Sequence, residues 1–335
     1  MERRKDQFSY TPGYFLAPVP YSIPGIGSGL FLFGLATNIN DTQTDLLANI
    51  ITGDVDAHIL AISDYYIVDE HLRAELLHGS FDKASFQSYS TRGMDSDGEN
   101  YVNIAIDKMS FTGAKLTASF YEKMLEFYYM GYGTKFAIDK INDKDGNLIL
   151  DASGTNTQKL ETHVGGFMVD YTDDRLDPRK GIRFDSSIDY STSDSDEGIN
   201  YFVTNYNLTG YIPIGIQSTV VLNYFRSDAN VIDKGETDFN IVEDNLGVDC
   251  SSTLLDIEGK INCQNLVNNQ ILANKNGTST SLGGRSRLRS YGESRFSGAH
   301  TEFYGSEFRW NIVDDSKPFD IYFMKGEVSL KLFKI

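Results

Sequence analysis

Residues 282 to 296, LGGRSRLRSYGESRF, carry four arginines, Arg285, Arg287, Arg289 and Arg295, in a stretch rich in glycine and serine. The chain around them is acidic: 47 Asp and Glu stand against 30 Lys and Arg, a formal net charge of -17. Guanidinium groups gathered in this way can rest in a solvated surface loop, hold phosphate or nucleic acid, or pair with carboxylates of the same chain. The overall charge argues against a nucleic-acid partner, because affinity for a polyanion rests on cations that neutralise its phosphates. The five histidines, His58, His71, His78, His163 and His300, are scattered without metal-ligand spacing. No Gly-x-Ser-x-Gly, P-loop or dinucleotide fingerprint occurs. GIGSG at 25 to 29 reads as strand packing, and DKDGN at 143 to 147 as an acidic turn without the Glu that would end a calcium loop. The expectation is a protein that is not an enzyme and uses neither cofactor nor metal.

Two cysteines, Cys250 and Cys263, lie thirteen positions apart in the long stretch 229 to 298. With no histidine beside them, a disulfide is favoured over a metal site, and two unpaired thiols are the other reading. A disulfide would constrain the unfolded loop by roughly 3 kcal/mol and imply an oxidising compartment.

These residues must be positioned by β structure. Twenty Tyr, 21 Phe and 30 Gly accompany one Trp and only 7 Pro, and period-two alternation recurs while helical periodicity is almost absent. In KGIRFDSSIDYS, Ile182, Phe184, Ile188 and Tyr190 share one face, and Arg183, Asp185, Ser187 and Asp189 the other. In HTEFYGSEFRWNI, Tyr304, Phe308, Trp310 and Ile312 oppose Thr301, Glu307, Arg309 and Asn311. Runs of this length suit an oblique bilayer crossing of 9 to 11 residues, and a charged face opposite an aromatic one suits lipid outside and a polar lumen. A soluble β-sandwich with one wet face is the bland alternative. Strands are expected at 25–38, 43–53, 56–67, 69–79, 83–92, 100–121, 124–139, 160–172, 181–193, 198–211, 216–228, 299–312 and 319–333. Residues 1–24 form an N-terminal segment and 25–335 a single domain. Short turns alternate with longer acidic loops, and no apolar run reaches the roughly 18 residues of a spanning helix. The first residues contain no apolar core of a signal peptide.

On this background LGGRSRLRSYGESRFSGAHTEFYGSEFRW, 282 to 310, resembles the signature of the BamA/TamA outer-membrane family, the bacterial surface-antigen type. There a long extracellular loop carries Val/Leu-Arg-Gly-Phe/Tyr and is followed by a strand with an inward Glu. Leu288, Arg289, Ser290 and Tyr291 match the tetrapeptide, with Ser290 where the family has glycine, and Glu307 matches the acid. VDYTDDRLDPRKGIRFDSSIDYS, 169 to 191, is similar to the family's periplasmic turn through Asp173, Arg175, Pro178 and Gly181. The resemblance implies an all-β, antiparallel transmembrane β-barrel with about thirteen of sixteen strands present and the loop folded into the lumen. It implies an Arg289–Glu307 lock and a first strand near Gly25 to Asn38 acting as a lateral gate. It also implies a place in the bacterial outer membrane, outer-membrane lipid as surroundings, and client barrel proteins or periplasmic assembly partners. The expected role is insertion or transport of outer-membrane proteins; the alternative is a stand-alone structural or pore barrel. The family's periplasmic POTRA repeats and last strands have no counterpart, so the chain is expected to be a fragment.

Overall fold

Side chains that alternate across a strand force a sheet with two chemically different faces. The computed structural model realises this as one antiparallel sheet. It describes the chain except residues 1, 9–11, 24–26, 90–91, 95–100, 152–156, 194–198, 216, 254–256, 285–286, 322–323 and 335, and except the side chains of 83, 258, 312–319, 321 and 326–334. The strands in order are β1 (Gly13–Ile23), β2 (Gly27–Thr37), β3 (Asp45–Gly53), β4 (Asp56–Val68), β5 (Leu72–Tyr89), β6 (Tyr101–Phe120), β7 (Leu125–Asn142), β8 (Leu148–Asp151), β9 (Gln158–Thr172), β10 (Gly181–Ser193), β11 (Asn200–Ile214), β12 (Ser218–Asp233), β13 (His300–Ile321) and β14 (Met324–Lys334). Two helices, α1 (Phe239–Leu246) and α2 (Ile257–Asn276), lie between β12 and β13.

Each strand pairs with its successor, except that β7 pairs with β9 while the short β8 folds back on the end of β7. The sheet curls until β1 meets β14, among the described residues through Tyr14–Lys325 and Phe15–Met324 only, against eleven pairs between β1 and β2. There is a topological reason for so thin a seam. Without β8, thirteen alternating strands leave the first and last pointing the same way, so an antiparallel contact between them cannot extend along their length. The sheet is therefore not closed along this seam.

Register assigns the faces. Arg183, Asp185, Ser187 and Asp189 on β10 share the inner face with Asp170 on β9 and Asn205, Asn207 and Thr209 on β11. Leu30, Ile50, Leu60, Leu76, Leu116, Phe127, Phe167, Val169, Ile188, Leu208, Leu222, Phe308 and Trp310 point outward and are exposed. Large apolar side chains facing outward on strand after strand would be costly in water and are favourable in lipid.

Four expectations are corrected. The first strand is β1, inside the stretch taken as an N-terminal segment, while Gly25 of the expected first strand lies outside the described residues. Pro18 and Pro20 argue against a central strand, yet proline is tolerated at an edge, and among the described residues the far edge of β1 meets β14 at two positions only. The strands expected at 69–79 and 83–92 are one, β5, because β6 continues beside it past Ala84. The last two strands form a longer hairpin than expected, paired from Phe308–Lys334 to Ile321–Met324. The 229 to 298 stretch contains two helices where no helix was expected.

Candidate functional site

The arginine loop enters the concave face along β11, β12 and β13. Thr280 donates its backbone N–H to Ser227 Oγ at 2.9 Å and its hydroxyl to Asn205 Oδ1 at 2.9 Å, and Ser279 Oγ meets Thr301 Oγ1 at 2.8 Å. Beyond this anchor the loop pinches into a small hairpin, with Leu282 and Phe296 exchanging backbone hydrogen bonds of 2.8 and 2.9 Å. Gly283 sits at φ +112°, where a Cβ would lie 2.3 Å from the Gly292 carbonyl, so only glycine fits. The left-handed residue of the tetrapeptide is Leu288 (φ 54°), not position 290, so the serine there needs no glycine-like backbone.

The arginines separate by environment. Arg285 lies outside the described residues. Arg295 is buried, its guanidinium 4.6 Å from the Tyr89 ring centre. Arg287 lies 3.4 Å over the ring of Phe225 on β12. Burial pushes the Arg287 pKa down; its Nε is buried without a hydrogen-bond partner, and among the described residues no carboxylate pairs with it. Arg289 reaches Glu307, Nη2 to Oε2 3.6 Å, but its side chain is 51% exposed. Glu307 is held more closely by Arg309 Nε, at 2.5 Å, two residues along the same strand. Leu288, Ser290 and Tyr291 line the same lumenal cavity as this trio. The alternation that put Arg309 beside Glu307 on the polar face was the signal for this second partner.

The most deeply buried charges lie at the opposite, short-turn end of the sheet. Glu126 on β7, 1% exposed, accepts from Arg73 Nη1 and Ser119 Oγ, each at 2.8 Å, and from Arg175 Nη2 at 2.5 Å. Asp170, fully buried, meets Arg183 Nη2 at 3.0 Å, Arg3 Nη1 at 3.5 Å and Arg175 Nη1 at 3.9 Å. Arg175 thus bridges two carboxylates on different strands. Its backbone position comes from the turn 173–180. There Asp173 Oδ1 accepts from the N–H groups of Arg179 and Lys180, Pro178 is buried, and Gly181 at φ +116° has no room for a Cβ beside the Tyr171 carbonyl. Residues 2–8 close over this end. Arg4 pairs with Asp173, Asp174 and Asp177 at 3.1–3.5 Å, Gln7 Oε1 accepts from Arg175 N, and the Phe8 ring lies 4.7 Å from Lys123 Nζ. Burial, opposed in part by Asp64, pushes the Lys123 ammonium down to about 8. Of this network the sequence marked Asp173, Arg175, Pro178 and Gly181 of the turn, and Arg183.

Cys250 and Cys263 are joined by a disulfide, Cα–Cα 5.3 Å, and pack with Val242, Val248 and Val267 into a small core between α1 and α2. Asp238 caps α1 by accepting from the N–H groups of Asn240 and Ile241. Among the described residues no group of three His, Cys, Asp or Glu is placed to hold a metal ion.

No family model matches the chain, and no curated protein matches it. Among solved structures it is similar to the crystal structure of BamA from Haemophilus ducreyi lacking POTRA domains 1-3, at 12% identity and a TM-score of 0.46. That similarity covers 90% of this chain and 53% of the other, so the chain spans about half the length of the BamA chain it resembles.

Proposed function

We propose that the chain is the barrel of a bacterial outer-membrane protein that helps insert or translocate other barrel proteins, as the BamA and TamA kind does. One observation carries this reading: beneath an outward apolar surface, a long disulfide-bearing loop turns into the lumen and brings Arg289 to Glu307 on the inner wall. The seam between β1 and β14, two pairs among the described residues, adds to it, since edges held so lightly can part and offer backbone groups to an incoming strand. The gate role expected near Gly25 to Asn38 moves with the seam to Gly13–Ile23. Outer-membrane lipid would surround the sheet, and unfolded client barrels or periplasmic assembly partners would be its protein contacts. No catalytic chemistry and no nucleic acid enter this role.

The test is insertion of an unfolded barrel client into liposomes holding the purified chain. Acceleration over empty liposomes is expected, and it should vanish when Phe15→Cys and Met324→Cys cross-link the seam. Equal rates with and without the chain would overturn the reading. A solute pore is a second reading, favoured by the lumenal cavity of about 620 Å³; single-channel conductance without client insertion would select it.

A further inference from the structure

The cavity beside the arginine loop, about 620 Å³, falls in the size range of small-molecule sites. Arg287, Arg289 and Arg309 line it with Glu307, Asn207 and Thr209. Among the described lining residues three guanidinium groups thus stand with one carboxylate, in a chain of net charge -17. Glu307 is already divided between Arg309 and Arg289. Two further carboxylates of this inner wall, Asp185 and Asp189 on β10, are engaged by Tyr128 and by Ser187 and Asn205. Arg287 is left on the face of Phe225 with a buried, unpartnered Nε.

The neutral groups point the same way. Asn223 Nδ2 donates to Asn207 Oδ1 at 2.8 Å and to Thr209 Oγ1 at 2.9 Å. Each of those oxygens accepts one hydrogen bond, and the Asn207 amide N–H groups and the Thr209 hydroxyl proton are donors. A pocket lined by three guanidinium groups with neutral donors beside them is complementary to an anion.

We propose that this pocket binds a small water-borne anion of the phosphate or phosphate-monoester class, held by Arg287, Arg289 and Arg309 with Asn207 and Thr209 as neutral donors. The planar guanidinium fork matches phosphate oxygens. The pocket opens on the concave face, whereas lipid would meet the convex one, so the source is a solute and not a headgroup. The assignment does not depend on a role in barrel assembly.

The test is calorimetric titration of the detergent-folded full chain with inorganic phosphate and with glycerol 3-phosphate. Phosphatidic acid vesicles serve as the lipid-borne arm. Saturable binding of the soluble anions is expected. Arg287→Gln should weaken it about tenfold or more, the scale of one hydrogen bond to a charged group. Arg226→Gln, on the outer face, should leave it unchanged. If Arg287→Gln alters the heat-modifiable gel mobility, Arg287→Lys replaces it, keeping the charge but losing the fork, and a weaker affinity is again expected. Absence of saturable binding, equal binding by wild type and the folded Arg287 variant, or binding to the vesicles alone would overturn the assignment.

Discussion

Glu126 and Asp170 are buried carboxylates whose charge is balanced by four arginines, Arg3, Arg73, Arg175 and Arg183. Removing one member of such a buried pair commonly costs about 3–5 kcal/mol, because the remaining charge is uncompensated. Lys123, in the turn beside this network, supplies a pH test. Its folded pKa, about 8, lies below the ordinary lysine value of 10.5, so the unfolded chain binds more protons between these values. Stability should then rise with pH across that window, at most about 1.4 kcal/mol per unit, and level off below it. Comparing urea midpoints of wild type and Lys123→Met from pH 7 to 9.5 isolates the effect; a constant gap between the two would show that the lysine does not titrate there. The inward direction of Glu307 and Arg183 was legible from alternation. The pairing of Arg73 with Glu126 was not, because it depends on the register of three strands and spans 53 residues of sequence.

At the scale of elements, long alternating strands were readable and two other features were not. Pro18 and Pro20 hid β1, since proline lowers any strand assignment unless the edge is known. The helices between β12 and β13 were hidden because α2 has no clean apolar stripe; its packing is concentrated at Cys263 and Val267 against α1. The disulfide closes this pair. Cys263→Ser should release about 3 kcal/mol of loop constraint. Trypsin cleavage near Lys260 and Lys275 should then accelerate while the heat-modifiable mobility of the sheet stays the same. Unchanged cleavage rates would mean that the helices hold without the bond.

For the whole molecule, the decisive property is a sheet with lipid-type side chains on its convex face and charges on its concave face. Phe167→Arg, outward and near the middle of β9, should cost about 2–4 kcal/mol of folding free energy in bilayers. Thr134→Arg, inward on β7, should cost far less, since water reaches the lumen. Folding titrations of both variants into lipid vesicles provide the measurement, and equal losses would contradict the assignment of faces. The chain by itself determined the all-β class, the two faces of β10 and β13, the arginine loop and the cysteine pair, because period two and residue chemistry act within a few residues. Only the tertiary structure decided which carboxylate meets which arginine, how residues 2–8 cover the short-turn end, and how thin the β1–β14 seam is. Those outcomes depend on register and on the number of alternating strands, which are properties of the assembled sheet and of no single segment.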